Sequence, residues 1–347
     1  MERLVNVLIT GVGGNIGQGV IKSLKMSSLK YKIVGTDIKT LSAGFFRIDK
    51  GYVVPKANDP DFLDEIIKIC NFDSIDIIFV CPPIELPVFA ANKNLIENKT
   101  NAKVIINTEN VIKIGNDKFE TYKFLKKNGL NYPETALSSD PVGIKNLIDR
   151  FGFPLIIKPR KGRGSVGVFK VKNKDELYSL IKIVDDPIVQ EYLRPDDEEY
   201  TSEVLMLDKK KILGHITMKR ELLEGTTVTA IIDDYNNINK VIREVAYKLK
   251  PYGSCNFQFR LTERGPVIFE INPRFSGTTP IRAKFGFNVP EVIIRKIIFN
   301  EDIKELKHSN GVAIRYWNEI YIPKDYHKSI EKNKLIENPI SEVDNNF

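Results

Sequence analysis

Two short segments near residue 260 constrain the fold more than any other part of the sequence. They run from Ser254 to Arg260 and from Gly265 to Asn272, and β-branched and aromatic residues dominate both. Because Gly265 closes the short turn between them, the pattern predicts a β-hairpin. Side chains alternate along a strand, so we expect the polar residues of each arm to share one face.

The polar face of this hairpin carries residue types that a magnesium ion prefers. Gln258 lies on the first arm, and Glu270 and Asn272 lie on the second. Their oxygen atoms are hard ligands, and substrate phosphates and water would complete an octahedron. Arg274 adds a guanidinium that can hold a transferring phosphoryl group at two points. The alternative is an amphipathic hairpin with a solvated polar face, but Pro273 favours the metal site because it fixes the strand exit.

A basic, glycine-rich stretch is the second indication of a phosphate site. Lys158 is the one charged residue of an apolar strand pattern over residues 153–159, and a buried lysine needs an anion nearby. The loop at residues 160–168 follows directly. It contains Gly162, Gly164, Ser165 and Gly167. Glycines let backbone N–H groups approach phosphate oxygens and let the loop close over them. The stretch lacks the Gly-Lys-Ser/Thr ending of a Walker loop, and a basic surface hairpin is the alternative.

These motifs resemble those of a known family. The hairpin sequences Asn256-Phe-Gln-Phe and Phe269-Glu-Ile-Asn-Pro-Arg-Phe-Ser are similar to the metal-binding end of ATP-grasp enzymes. The likeness is strongest to the synthetase half-domains of the carbamoyl-phosphate synthase large chain. It implies that the Gln, Glu and Asn of the hairpin hold Mg²⁺ ions that bridge the ATP phosphates, with Mn²⁺ as an alternative. It also implies that Arg274 supports the transferred phosphate.

The same resemblance implies a set of nucleotide-binding residues. They are Lys118, Lys158, Gly162, Gly164, Ser165, Gly167, Glu191, Tyr192, Leu193 and Glu199. In the family, a lysine early in the helix reaches the phosphates, residues 191–193 surround the adenine base, and the position of Glu199 holds the ribose hydroxyls. Taken alone, Lys118 is as well explained as a solvated helix lysine, and Glu198 and Glu199 are more often solvated turn residues.

Strand and helix patterns alternate through the first 110 residues, as a parallel sheet requires. With the resemblance, they predict an α/β chain: a Rossmann-like N-terminal domain, of the kind that precedes ATP-grasp units, followed by an ATP-grasp fold of two α+β lobes. We assign residues 1–110 to the Rossmann-like domain, 111–190 to the small lobe with the phosphate loop, 191–310 to the large lobe with the metal site, and 311–347 to a C-terminal strand and polar tail. We expect the tail to fray from Lys328 onward.

A glycine-rich turn after the first predicted strand supports a second hypothesis. The residues are Gly11, Gly14, Gly17 and Asp37, the last where a dinucleotide-binding protein places its ribose acceptor. Tyr122 and Lys126 supply a Tyr-x-x-x-Lys pattern, so an NAD(P)-dependent oxidoreductase of the short-chain type is the alternative. That hypothesis gives no role to Lys158 or to Gln258, Glu270 and Asn272 of the hairpin. Whether the turn binds substrate or only lets a helix start close under the strand stays open.

Two further residues are candidates for substrate contact. Glu85 follows the predicted strand at residues 75–81, at the edge where open α/β sheets bind ligands, although the start of a capped helix explains it equally well. Arg220 opens a segment at residues 220–227 that we expect to be irregular and to face the reactive centre. Its guanidinium can hold an acceptor carboxylate or a phosphate.

Composition excludes several other classes of protein. The net charge is +7, but the lysines are dispersed and aromatic residues do not interleave with a basic stripe, so we expect no nucleic acid partner. The three cysteines have no paired spacing, which predicts reduced core thiols. No apolar run is long enough to span a bilayer, and the start of the chain lacks a signal-peptide pattern, so we expect a cytoplasmic protein with no membrane partner. A homodimer is compatible with the resemblance.

The function that the resemblance implies is ATP-dependent joining of a carboxylate and an amine, or ammonia, through an acyl phosphate. Lys158, Arg220 and Arg274 are the expected catalytic cations, and the substrates are small molecules. The carbamoyl-phosphate synthase large chain carries two synthetase halves with regulatory and tunnel-forming regions, whereas this sequence of 347 residues contains a single unit. We therefore expect a carboxylate-amine ligase of the smaller kind. A nucleotide-binding subunit without catalysis is the third hypothesis.

Overall fold

The structure is a computed structural model that describes residues 3–162, 164, 166–208, 210–339 and 341–343. Its helices are α1 (Asn15–Lys25), α2 (Phe62–Phe72), α3 (Leu86–Lys99), α4 (Glu109–Asn116), α5 (Lys118–Lys127), α6 (Pro141–Phe151), α7 (Lys174–Ile181), α8 (Asn236–Leu249), α9 (Thr279–Lys284), α10 (Val289–Ile297) and α11 (Lys324–Asn333). Its strands are β1 (Val5–Thr10), β2 (Tyr31–Asp37), β3 (Lys50–Val53), β4 (Ile77–Phe79), β5 (Lys103–Ile105), β6 (Thr135–Leu137), β7 (Leu155–Pro159), β8 (Phe169–Val171), β9 (Pro187–Glu191), β10 (Glu199–Met206), β11 (Ile212–Leu223), β12 (Thr226–Ile232), β13 (Gly253–Thr262), β14 (Gly265–Asn272), β15 (Gly311–Ile314), β16 (Ile320–Tyr321), β17 (Leu335–Glu337) and β18 (Glu342–Val343).

The first sheet is the parallel sheet that the N-terminal sequence predicts. Its order is β17-β3-β2-β1-β4-β5, and β1 to β5 are parallel. The apolar strands are buried because helices cover a parallel sheet. Gly17 allows α1 to start close under β1, since a Cβ there would lie 2.4 Å from the Gly11 carbonyl oxygen. This close approach accounts for the glycine pattern without a bound dinucleotide.

Outside the N-terminal sheet, the described residues form two larger antiparallel sheets and a two-stranded sheet of β16 and β18. A four-stranded antiparallel sheet has the order β6-β9-β7-β8, and a six-stranded antiparallel sheet has the order β14-β13-β10-β11-β12-β15. Helices α6 and α7 pack on the first of these, and α8 packs on the second. The core of the larger sheet is continuous with the N-terminal core, because α1 contacts α9 and α10. The N-terminal sheet is thereby held against the larger sheet.

Two sequence expectations are wrong. Residues 220–227 are not irregular, because β11 continues to Leu223 and turns into β12 through Glu224 and Gly225, which have φ of +48° and +74°. The described part of the tail is ordered beyond Lys328, because α11 continues to Asn333 and β17 pairs antiparallel with β3. Ile330 and Ile336 are buried there, and two apolar anchors in a polar stretch are too few to give a sequence pattern.

The last segment of the chain contributes to both of the six-stranded sheets. Strand β15 pairs with β12, whereas β17 pairs with β3 in the N-terminal sheet. The proposed bounds of the four units stay a prediction. Among the helices of the described residues, none combines the length and the apolar character needed to cross a membrane.

Candidate active site

Most of the predicted site residues line two adjoining cavities. The larger, about 810 Å³, lies between the carboxyl ends of β1 and β4 and the face of the six-stranded antiparallel sheet. The smaller, about 190 Å³, lies between the two antiparallel sheets. Gly164, Val166, Gln258 and Glu270 line both cavities. The hairpin and the glycine-rich loop therefore form the junction between them.

The hairpin of β13 and β14 brings the predicted metal ligands together. Gln258 lies opposite Glu270 in the register, and Asn256 lies opposite Asn272. Directly opposed residues of an antiparallel pair have Cβ atoms about 5 Å apart. Asn272 Nδ2 donates to Glu270 Oε1 at 2.7 Å, so these two side chains touch. A β-bulge after Gln258 shifts the register beyond this point.

The donor set fits a magnesium ion. Glu270 supplies carboxylate oxygen atoms, and Gln258 and Asn272 supply amide oxygen atoms that accept hydrogen bonds from Arg220 Nη2 at 2.7 Å and Arg274 Nη2 at 2.9 Å. Both amide oxygens therefore already face a positive charge, as a metal ligand does. Phosphate and water would have to supply the remaining ligands. Among the described residues, no group of three or more His, Cys, Asp or Glu side chains is placed to hold a metal ion.

Lys158 is buried on β7, only 6% exposed. Its Nζ donates to Gln190 Oε1 at 2.7 Å, and Gln190 in turn donates to the hydroxyl of Thr135. Burial, together with the charge of Lys118, lowers the pKa of Lys158 to about 7. A buried ammonium without a carboxylate partner is suited to a phosphate group. Gln190 is a residue that the sequence did not single out, although it precedes the predicted Glu191.

Lys118 links the start of α5 to the glycine-rich loop. Asp117 caps the helix by accepting from the N–H groups of Phe119 and Glu120, which leaves Lys118 directed into the site. Its Nζ donates to the Gly162 carbonyl at 3.2 Å, and it is 9% exposed. Burial lowers the pKa of Lys118. The alternative of a solvated helix lysine is therefore wrong.

The loop after β7 has the backbone that its glycines predict. Gly164 and Gly167 have φ of +64° and +72°, which L side chains rarely adopt. Gly162 and Gly164 line the smaller cavity, whereas Gly167 packs on Pro159 behind it. Ser165 lies outside the described residues.

The predicted adenine-binding residues line the smaller cavity at the end of β9. The Glu191 carboxylate accepts from Arg264 and from the N–H of Glu134, and burial raises the pKa of Glu191. The Tyr192 hydroxyl accepts from Lys170 Nζ at 2.6 Å. The Leu193 carbonyl accepts from Arg260 Nη1 at 3.0 Å. Their side chains and carbonyl groups thus hold the end of this strand in place, and their contacts with a base stay a prediction.

Glu199 lies between two arginines at the edge of the smaller cavity. Its carboxylate accepts from Arg220 Nη2 at 2.8 Å and from Arg260 Nη2 at 2.9 Å. A ribose hydroxyl would therefore bind a carboxylate whose position is already fixed. Arg260 was not predicted as a site residue. It lies two residues after Gln258 on the same strand, so the alternation of side chains along a strand places both on one face and could have identified it.

The larger cleft is cationic on the side of the antiparallel sheet. Arg220, Arg274 and Arg315 line it, and burial lowers the pKa of Arg315. Arg220 lies on β11 and not on an irregular segment, as noted above. Arg315 was missed because its position after a short edge strand carries no motif. It donates to the Gly277 carbonyl, which fixes the guanidinium beside the end of the hairpin.

The N-terminal wall of the cleft does not support the oxidoreductase hypothesis. Asp37 accepts from the N–H groups of Gly13 at 2.7 Å and Lys39 at 3.2 Å, so both of its oxygens hold the local backbone. Tyr122 and Lys126 lie on α5, bonded to each other at 2.8 Å, and line neither of the two cavities. The Tyr-x-x-x-Lys pattern is thus a coincidence of helical spacing.

A buried ion pair supports the floor of the cleft. Arg282 and Glu203 are both 0% exposed, and Arg282 Nη1 donates to Glu203 Oε2 at 2.5 Å. Arg282 Nη2 donates to Asn256 Oδ1 at 2.8 Å and to the Thr201 hydroxyl at 3.2 Å. Because Thr201 and Asn256 line the cleft beside Gln258, this pair fixes the strand face that carries the metal ligands.

Comparisons with known proteins agree with this architecture. Residues 115–278 match the ATP-grasp domain, and residues 7–105 match the PylC-like, N-terminal domain. The phosphoribosylamine-glycine ligase of Pyrococcus furiosus is 24% identical over 90% of this chain and 75% of its own length. A carbamoyl phosphate synthase large chain from Caldanaerobacter subterraneus subsp. tengcongensis is 24% identical over 88% of this chain, which spans 30% of that relative.

A solved structure shows the same fold. N5-carboxyaminoimidazole synthetase from Staphylococcus aureus, complexed with ADP, superposes with a TM-score of 0.67 at 16% identity, over 90% of this chain and 81% of that chain. The chain belongs to the ATP-grasp superfamily, whose enzymes use ATP and Mg²⁺. It combines a PylC-like N-terminal domain with an ATP-grasp domain.

Proposed function

We propose that the protein joins a small carboxylate to an amine or ammonia through an acyl phosphate. The observation that carries this proposal is that Gln258 and Glu270 line both cavities. A nucleotide in the smaller cavity would direct its phosphates toward that junction, and a carboxylate in the larger cleft would approach from the other side. The phosphoribosylamine-glycine ligase among the relatives is named for joining an amine to an amino acid, which supports the same reaction type.

The reaction has two balanced steps. A carboxylate oxygen attacks the γ-phosphorus of ATP, the bond from that phosphorus to the bridging oxygen breaks, and an acyl phosphate and ADP form. The amine then attacks the acyl carbon, the bond from this carbon to the phosphate oxygen breaks, and the amine releases one proton. Bound Mg²⁺ would neutralise phosphate charge during the first step.

The cations of the site have separate roles in this proposal. Lys158 holds a nucleotide phosphate because its buried ammonium is hydrogen-bonded to the neutral amide of Gln190, with no carboxylate in an ion pair with it among the described residues. Arg274 and Arg220 face the cleft and now bond to amide oxygens of the hairpin. A metal bound to those oxygens would displace the two Nη2 atoms from the amides, and these atoms could then bind the transferred phosphoryl group and the substrate carboxylate while Glu199 still holds Arg220.

The glycine-rich loop would protect the acyl phosphate from water. Gly164 and Val166 lie between the two cavities, where the intermediate forms. Val166 is 76% exposed, so the tip of the loop has room to move onto bound phosphates. Closure of a loop over the reacting groups excludes water and commits the substrate.

The proposal is tested by incubating the purified protein with Mg-ATP and pairs of carboxylates and amines while ADP and phosphate are followed. Pair-dependent release of both products, lost in Glu270→Ala, is the expected result. Following NADH in parallel tests the oxidoreductase alternative. Tight ATP binding without turnover for any pair favours the non-catalytic subunit, and absence of ATP binding together with NAD(H) binding overturns the ligase.

Two finer points belong to the same proposal. We infer that Mn²⁺ can replace Mg²⁺, because the oxygen donors of the site suit both ions. We also infer a homodimer, on the resemblance alone. Turnover with each metal and the mass from sedimentation velocity are the respective measurements.

A further inference from the structure

Glu85 is a buried carboxylate that has no role in the proposed reaction. It is 6% exposed, yet it lines the larger cleft at the carboxyl end of β4. Its Oε2 atom is buried and has no hydrogen-bond partner among the described residues. Burying an unpaired carboxylate oxygen is costly, so a group that satisfies it when substrate binds would gain a strong interaction.

The helix-capping explanation of Glu85 is wrong. Glu85 is the N-cap residue of α3, but its side chain makes no capping hydrogen bond. Pro87 occupies one of the first positions of the helix, and proline has no N–H to offer. The backbone of Glu85 is held by its own bonds, from its N–H to the Pro82 carbonyl and from the Phe89 N–H to its carbonyl. The turn is therefore fixed without the carboxylate, whose side-chain hydrogen bond is to the Thr10 hydroxyl and whose Oε2 atom stays without a partner among the described residues.

The surroundings of Glu85 favour a cationic ligand. Burial raises the pKa of Glu85 to about 7, the Thr10 hydroxyl lowers it, and the charge of Asp37 raises it. Asp37 adds a second negative charge to the same wall, and Lys56 is the cation that lines the cleft on this side. A protonated amine would donate a hydrogen bond to the Oε2 atom of Glu85 and would also offset the negative charge of this wall. A hydroxyl would donate the hydrogen bond without offsetting the charge.

The opposite wall of the cleft has the complementary charge. Arg220, Arg274 and Arg315 line it beside the hairpin, and Glu85 lines the wall formed by the N-terminal sheet. At about 810 Å³ the cleft has the size of pockets that enclose a whole small molecule. A single substrate can therefore present a carboxylate to the arginines and an ammonium group to Glu85.

We propose that Glu85 binds the ammonium group of a substrate, so that the cleft accepts an amino acid or another small acid that carries a protonated amine. This inference rests on the proposed function, because the carboxylate of that substrate is the group to be phosphorylated. It assigns to the N-terminal domain the choice of substrate, while the antiparallel sheets hold the nucleotide.

The test compares amino acids with hydroxy acids of the same skeleton, in which a hydroxyl replaces the amine. Binding of each compound to the protein loaded with Mg-ADP is measured by calorimetry, for the unaltered protein and for Glu85→Gln. We expect an amino acid to bind at least about 10-fold more tightly than its hydroxy counterpart, and Glu85→Gln to weaken amino acid binding about 10- to 100-fold. Mg-ADP binding should change less than about two-fold, which shows that the variant is folded.

The matched control is Glu109→Gln, the same change at an exposed residue that lines neither cavity. It should leave amino acid binding unchanged. A second measurement uses the unaltered protein: an ammonium partner lowers the pKa of Glu85, so binding at pH 7 should release protons into the buffer. The groups facing Glu85 that also affect this pKa are Thr10 on β1 and Asp37 at the end of β2.

Several results would overturn the inference. These are equal binding of hydroxy and amino acids, unchanged binding in Glu85→Gln, absence of proton release, and failure of every amine-bearing acid to bind. The proposed function is tested separately. Amine-dependent binding through Glu85 without any release of ADP from ATP rejects the ligase chemistry alone, whereas ADP release that does not depend on an amino group of the acid rejects the role of Glu85 alone.

Discussion

Arg220 donates a 2.7 Å hydrogen bond to the side-chain oxygen of Gln258, so a predicted catalytic cation is bonded to a predicted metal ligand. The same Nη2 atom also donates to Glu199 at 2.8 Å. One guanidinium thus connects the predicted ribose carboxylate to the predicted metal site. Because Arg220 lines the larger cavity and is bonded to Glu199 and Gln258, which line the smaller one, its position depends on what occupies the two cavities. We expect nucleotide, metal and acceptor binding to be coupled through this residue.

Arg220→Met tests that coupling. It removes the charge and keeps most of the side-chain length, so we expect kcat/KM for the carboxylate substrate to fall about 10- to 100-fold, the usual effect of losing a charged hydrogen bond. Arg243→Met is the matched control, because Arg243 pairs with Glu305 on the exposed surface. The measurement is kcat/KM from steady-state kinetics of ADP release. Equal values for the two variants would contradict the prediction.

Lys158 should make nucleotide binding dependent on pH. Its pKa is about 7 in the free protein, and a bound phosphate favours the ammonium form, which raises the pKa in the complex. At pH 7, nucleotide binding should therefore be accompanied by the uptake of about half a proton by Lys158. About one pH unit higher, the uptake should approach a whole proton. Affinity for ADP should fall as the pH rises above 7, by up to about 10-fold per unit. Calorimetry in buffers of different ionisation enthalpy measures the uptake.

The control for this prediction is an exposed lysine on α5, the helix that also carries Lys118. Lys158→Met should abolish most of the proton uptake, whereas Lys123→Met, at an exposed position of α5, should leave it unchanged. Lys118 also has a lowered pKa and lines the same cavity, so a small residual uptake is expected. Full uptake in Lys158→Met would mean that another group binds the proton.

Glu270→Gln should change the metal requirement more than the nucleotide pocket. The substitution keeps the shape of the side chain but removes the one carboxylate of the predicted metal set, so the Mg²⁺ concentration that half-saturates the reaction should rise at least about 10-fold. Glu263→Gln, in the exposed turn of the same hairpin, is the control. Magnesium titrations of ADP binding and of turnover provide the measurement, and parallel curves for the two variants would refute a metal role for Glu270.

The fold and the centre of the site were predictable where short motifs carry the chemistry. The hairpin, the buried Lys158 and the glycine-rich loop beside it follow from residue types at fixed spacing, and the parallel sheet follows from alternating apolar patterns. The roles of these residues in binding stay predictions. The pairing of β17 with β3 was not predictable, because Ile330 and Ile336 are its only buried apolar anchors among the described residues of the tail.

The supporting residues of the site were missed for a different reason. Gln190, Arg260, Arg282 and Arg315 act through partners that lie far away in the sequence, such as the contact between Arg282 and Glu203. A sequence shows a polar residue in an apolar segment, but it does not show which distant residue will satisfy it. Glu85 illustrates the same limit, since only the structure separates a capping carboxylate from one that faces a cleft.

The buried pair of Arg282 and Glu203 gives the last prediction, which concerns stability. Arg282→Met leaves the Glu203 carboxylate buried without its cation, and breaking a buried pair in this way costs about 3–5 kcal/mol of unfolding free energy. The double variant Arg282→Met, Glu203→Leu removes both charges and should recover much of that loss. Arg243→Met breaks an exposed pair and should cost at most about 1 kcal/mol. Urea denaturation measures all three. A double variant as unstable as Arg282→Met would show that the bonds from Arg282 to Asn256 and Thr201, and not the charge pair, hold the floor of the cleft together.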